Sequence, residues 1–140
     1  MLKKLIFIVI PLLLLTFCDK GTIRPQENGA YFYTAYDSLG TKIVSGILWL
    51  QFSSSGSISG SWYLQKTDDN DNIGPQTGRG KLLGSKRDSK IWINLNPDWA
   101  DNNVHLWGKA EDGAISGDWI FSTFIGATNR GTFTAHTFSF

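Results

Sequence analysis

Gly56-Ser57-Ile58-Ser59-Gly60-Ser61-Trp62 is echoed by Gly113-Ala114-Ile115-Ser116-Gly117-Asp118-Trp119, with five of the seven positions identical. In both copies Ile, Gly and Trp alternate with Ser, Ala or Asp. A period of two is the signature of a strand with one face buried. After each copy comes a connection and then a related run, Arg79-Gly80-Lys81-Leu82 or Arg130-Gly131-Thr132-Phe133. The chain therefore reads as two copies of one four-strand unit.

Working outward, the same reading predicts strands over 30–37, 42–52, 57–66, 78–85, 90–95, 103–109, 114–122 and 129–138. Turn signals separate them, among them Ser38-Leu39-Gly40, Ser54-Ser55-Gly56, Arg87-Asp88 and Asp112-Gly113. None of the intervals has room for a crossover helix, so sequential strands must pair antiparallel. Eight strands in two similar halves remove their edges by closing on themselves. The expected fold is all-β, an eight-stranded antiparallel up-and-down meander barrel.

Composition supports this class. Six Trp, nine Phe and four Tyr with 15 Gly suit short strands and tight turns. A length of 140 residues implies one folded domain. Outside Lys3 and Lys4 the chain carries 11 basic against 12 acidic residues. That balance lacks the clustered basic surface a nucleic acid would need, and no nucleic-acid partner is expected.

The N-terminus has its own logic. Lys3 and Lys4 precede an apolar run from Leu5 to Leu15, and the segment closes with Leu15-Thr16-Phe17-Cys18, the build of a secretory leader. The run is short for a permanent membrane span. Cys18 is the sole cysteine, so no internal disulfide can form. The segment resembles a bacterial lipoprotein lipobox, with Leu15 at its aliphatic position, Cys18 as the acceptor, and Phe17 where a small residue is usual. That resemblance implies cleavage before Cys18 and a triacylated (palmitate-type) cysteine as a stable membrane anchor. The implied organisation is a signal peptide over 1–17, a lipidated cysteine and tether over 18–28, and a barrel over 29–140, in the cell envelope facing the periplasm or the cell surface.

The repeated Gly-x-Trp and Gly-Thr-Phe strands resemble the calycin group of avidins and lipocalins, and more closely a set of uncharacterised bacterial lipoproteins. The resemblance implies a small barrel and a binding role. It carries over no binding residue, and the first strand, Ala30-Tyr31-Phe32-Tyr33, lacks the Gly-x-Trp that opens a lipocalin.

Catalytic chemistry has few candidates. The histidines are His105 and His136, and neither a nucleophile motif nor a phosphate loop is present. Both histidines fall on the polar parity of their strands, so surface positions are expected, no catalytic residue is assigned, and the chain is read as a non-enzyme. Asp68, Asn70 and Asn72 alternate as in a calcium loop, but Gly74 comes one place late and Arg79 stands where a bidentate Glu is needed. A solvated loop is expected, with no metal and no cofactor.

The aromatic residues are the informative ones. Trp62 and Trp119 share parity with Ile58 and Ile115, and are expected to face inward, as core or as the wall of a small lumen. Ile91, Ile93 and Leu95 share one face of their strand, and Val104 and Leu106 one face of the next. Trp92 and Trp107 then meet on the opposite, polar face, beside Lys90, His105 and Lys109, as a contact patch or as a cross-strand pair stabilising the hairpin. The candidate ligand or partner residues are thus Trp92, His105, Trp107, Trp62 and Trp119. The expected function is a membrane-anchored, non-catalytic binding module for a small apolar ligand or an envelope partner. Two alternatives stand beside it: a structural or inhibitory envelope protein acting through loops such as Asn96-Pro97-Asp98-Trp99, and a small outer-membrane barrel ending on Phe138-Ser139-Phe140.

Overall fold

A computed structural model describes residues 28–67 and 73–138. The leader, Cys18 and the Asp68–Asn72 segment lie outside them. Eight strands run β1 (Gly29–Tyr36), β2 (Lys42–Phe52), β3 (Ser57–Lys66), β4 (Gly78–Arg87), β5 (Lys90–Asn94), β6 (Asn103–Glu111), β7 (Ala114–Thr123) and β8 (Gly126–Thr137). Each pairs antiparallel with the next, and β8 pairs with β1, so the sheet is a closed barrel in sequential order.

The boundaries differ from the sequence reading mainly at two hairpins. Strand β4 runs through Arg87, because its registered pair Arg87↔Lys90 leaves only Asp88 and Ser89 for the turn, and Asp88 takes a positive φ of 55°. Strand β8 begins at Gly126 rather than Asn129. Its pair Thr123↔Gly126 leaves Phe124 and Ile125 as a two-residue tip, and neither residue is a turn former.

Strand parity sorts the side chains. Facing inward and buried are Tyr31, Tyr33, Leu48, Leu50, Ile58, Trp62, Leu64, Leu82, Ile91, Ile93, Val104, Leu106, Ile115, Trp119, Phe133 and Ala135, and Phe121 packs against them. Rings order this interior: Tyr33 stacks on Phe133 at 5.7 Å, and Tyr31 meets Phe52 edge-on at 6.5 Å. The outer face carries Ser59, Ser61, Arg79, Lys81, Lys90, Lys109, Ser116 and Asp118 in exposed positions. An apolar inside with charges outside is the reverse of a barrel bathed in lipid, where a midplane Lys or Arg costs about 2–4 kcal/mol.

The repeat is structural as well as sequential. Trp62 of β3 pairs with Gly80 of β4, and its Nε1 donates to the carbonyl of Leu95, just past β5, at 2.6 Å. Trp119 of β7 pairs with Gly131 of β8, and its Nε1 donates to the carbonyl of Tyr36, at the end of β1, at 2.8 Å. Each indole thus crosses a glycine of the last strand of its own half and bonds the first strand of the other half. A Cβ on Gly80 would come within 2.8 Å of the Trp62 ring, and one on Gly131 within 2.6 Å of Trp119 Nε1. The two tryptophans take equivalent places in the two halves, and each fastens one seam between them.

Candidate functional site

Among the described residues, the places that bear on a site are the lumen, the outer aromatic face and a cleft at the rim, beside a shallower hollow of about 520 Å³ along β1, β2 and β3 lined by Asn28, Trp49, Gln51 and Ser61. The lumen is lined by the buried apolar set described above. Its mouth is closed by the segment before β4, where Ile73 and Gln76 are both buried. Gln76 accepts a hydrogen bond at Oε1 from the Tyr33 hydroxyl, 3.1 Å, and donates from Nε2 to the Ile73 carbonyl, 2.6 Å. Burial pushes the Tyr33 phenol far above its ordinary value, so it stays protonated and remains the donor. Nothing in the sequence pattern singles out Gln76, one polar residue among many in the connection between β3 and β4.

On the outer face, β5 and β6 bring three of the candidate residues together. Trp92 and Trp107 are registered partners with ring centroids 6.0 Å apart and tilted by 45°. His105 stacks on Trp92 at 5.9 Å with an interplanar angle of 22°. Trp107 is 52% exposed, whereas Trp92 and His105 are half-buried beneath their neighbours. Exposed Leu83 lies on the adjoining strand β4, and half-buried Ile120, registered with His105, lies on β7. Two polar atoms in this cluster are buried with no hydrogen-bond partner, Trp92 Nε1 and His105 Nδ1. Such atoms are uncommon in native structures and call for an explanation. Trp62 and Trp119 are placed elsewhere, inside the barrel, and their indole N–H groups are satisfied by backbone.

Desolvation lowers the His105 pKa, so the ring is neutral at neutral pH. In the unfolded chain a histidine takes up its proton near pH 6.5, roughly. Acidification through that value therefore favours the unfolded chain, and the stability that neutral His105 contributes above it is lost as pH falls toward the lower folded pKa. His105→Gln should flatten the pH dependence of the urea midpoint between about pH 7 and pH 5.5. An unchanged slope would show that His105 does not titrate differently in the two states. His136 is exposed on β8.

The third place is a cleft at the rim, between the segment before β4 and the β5–β6 connection. It has a volume of about 200 Å³ and is walled by Trp62, Pro75, Arg79, Lys81, Asn96 and Trp99, with Thr77, Gly80, Leu95, Pro97 and Asp98 completing it. Asn96 fixes the wall: its Oδ1 accepts from Val104 N at 3.3 Å and its Nδ2 donates to the Pro75 carbonyl at 3.5 Å. Sequence reasoning reached Trp99 only as a loop residue and missed Arg79 and Lys81, because the cleft gathers residues from separate elements. Among the described residues, no group of three or more His, Cys, Asp or Glu is placed to hold a metal ion. Among them, too, no helix is long and apolar enough to cross a membrane.

Fold and topology define an eight-stranded antiparallel barrel of the avidin-like kind. A solved structure with this fold, the rhizavidin–biotin complex, matches with a TM-score of 0.54 over 81% of this chain and 93% of its own, at 14% sequence identity. At that identity the likeness is one of fold, and function has to be argued from the site. No protein-family model matches the sequence, and no curated protein does.

Proposed function

We propose that the chain is a non-catalytic binding module of the bacterial cell envelope, held on a membrane by lipid on Cys18, with the Trp92, His105 and Trp107 cluster as its contact surface for an envelope protein. The observation that carries the contact reading is Trp107, 52% exposed and set against Trp92 and His105 in an aromatic cluster on the outer face of the barrel. A partner covering the cluster would bury Trp107, and partly exposed indoles of this kind often dominate an interface. Lys90, Lys109 and Asp118 around it would set orientation and encounter rate.

Replacing both indoles, Trp92→Thr with Trp107→Thr, should lower unfolding free energy by only about 1 kcal/mol, the worth of one cross-strand aromatic pair. A photo-cross-linking residue at position 107 should give a discrete adduct in intact cells, and one at Ser59 should not. Equal labelling at both positions, or none at 107, would sink the contact reading.

The anchor reading rests on the leader sequence, and its test is independent. Globomycin, which blocks lipoprotein signal cleavage, should cause uncleaved precursor to accumulate. Cys18→Ser should stop processing or release the protein from membranes. Normal cleavage of the serine variant at another position would rule the anchor out.

A second reading takes a small ligand as the partner, and two observations favour it: the solved structure of like fold is a complex with biotin, and this barrel has an open cleft at its rim. The inward side chains and Gln76 crowd the lumen, and the open cleft at the rim is where we place such a ligand. The outer-membrane alternative has less behind it, since the interior is apolar and the outer face carries charges.

A further inference from the structure

The geometry points to the rim cleft as a binding site for a small planar carboxylate, its ring against Trp99 and its acid group on Arg79 and Lys81. This deepens the second reading above and does not depend on the Trp92 cluster or on the anchor.

The case starts from β4. Arg79 and Lys81 are two residues apart on one strand, so both side chains emerge on the same face, the outer one, and stand at the outer lip of the cleft above its Trp62 floor. Their registered neighbours on β3 are Tyr63 and Ser61, neither of them an acid. Both are exposed, and among the described residues neither is paired with a carboxylate. Two unpaired cations at one mouth favour an anion, and a guanidinium matches the two oxygens of a carboxylate. Among the described residues a single acid, Asp98, also lines the cleft, so their summed charge there is positive.

Opposite β4 stands the β5–β6 connection. The backbone of Trp99 is held at both ends, its N–H donating to the Asn96 carbonyl at 3.1 Å and its carbonyl accepting from Asn103 Nδ2 at 3.1 Å. Its indole is nevertheless 55% exposed, lining the cleft without being spent on the core. A large ring on a fixed backbone at the edge of a cavity offers a stacking surface at small entropic cost. The floor is equally fixed: Trp62 is buried, and its Nε1 is shared between the Leu95 carbonyl and, at 3.2 Å, that of Lys81. The cavity is thus pre-formed, flat-sided and cationic at one edge. Its volume is below the roughly 300–1,000 Å³ usual for drug-sized ligands, so the occupant is small.

The test uses three probes on the full chain, purified in the form that cells make it: indole-3-acetate, tryptamine as its cationic counterpart, and acetate without the ring. Calorimetry should show saturable binding of indole-3-acetate and much weaker binding of the other two. Arg79→Gln with Lys81→Gln should weaken indole-3-acetate by about tenfold or more, and Trp99→Ala by a similar factor. Far-ultraviolet circular dichroism checks that the variants fold, and Lys81→Arg, which keeps the charge, should retain binding. Trp92→Thr with Trp107→Thr should leave the titration unchanged. The inference is overturned if tryptamine binds as well as indole-3-acetate, if none of the probes saturates, or if the glutamine pair has no effect. Loss of binding in the Trp92/Trp107 variant would overturn it too, by moving the ring to the outer cluster while leaving the partner reading intact.

Discussion

Trp119→Ala should cost about 3–5 kcal/mol of unfolding free energy, and Trp62→Ala nearly as much. Trp119 is 0% exposed and Trp62 3%. Removing either indole opens a cavity that its glycine neighbour, Gly131 or Gly80, has no side chain to fill. The variants also take the indole N–H from a carbonyl that accepts it, the buried one of Leu95 or the part-buried one of Tyr36. Both losses fall on a seam between the two halves, so the closure of the sheet is weakened along with the core. The smaller effect belongs to Trp62, which sits at the cleft and leaves room that water can enter. Trp107→Ala, by contrast, should change stability by about 0.5–1 kcal/mol at most. Urea unfolding followed by far-ultraviolet circular dichroism measures all three, and a cost below about 1 kcal/mol for Trp119→Ala would refute the fastening role.

How much of this was legible in the sequence follows from what carries period-two information. The strands were, because Ile58, Gly60, Trp62 and Ile115, Gly117, Trp119 alternate with small polar residues, and the repeat ties the two halves to one register. The pairing of Trp92 with Trp107 on the outer face was legible for the same reason: parity and a short hairpin leave one arrangement. Parity does not report depth, however. His105 points outward as its position demands, yet the Trp92 ring stacked on it makes it half-buried and lowers its pKa. The β7–β8 hairpin escaped because Phe124 and Ile125 lack turn chemistry, and the only cue is Gly126, which takes a positive φ of 106°. Gln76 and the rim cleft escaped for a different reason. They depend on how a loop folds back over the barrel mouth, a tertiary event that leaves no periodic trace.

Gly117→Ala is expected to be the most damaging of the smallest possible changes. Gly108 and Gly117 are registered partners on β6 and β7, and each stands on the inward parity of its strand. A Cβ on Gly117 would lie 2.0 Å from the Trp107 carbonyl oxygen and 2.5 Å from Gly108 Cα, and one on Gly108 would lie 2.1 Å from the Ser116 carbonyl oxygen. These obstacles are backbone atoms, which cannot swing aside as the end of a side chain can. The closeness has a cause in the geometry: a small barrel requires strands to bend sharply, and residues without a side chain are where the bend fits. The expected cost is about 3 kcal/mol or more, the upper range for overpacking. Because Trp107 adjoins the strained bond, its fluorescence should shift along with stability, whereas Gly40→Ala, in a turn with open space around the added atom, should leave that fluorescence alone. A Gly117→Ala variant of native stability would mean that β6 and β7 can move apart, and that the barrel is less tightly coiled than its registered glycine pair requires.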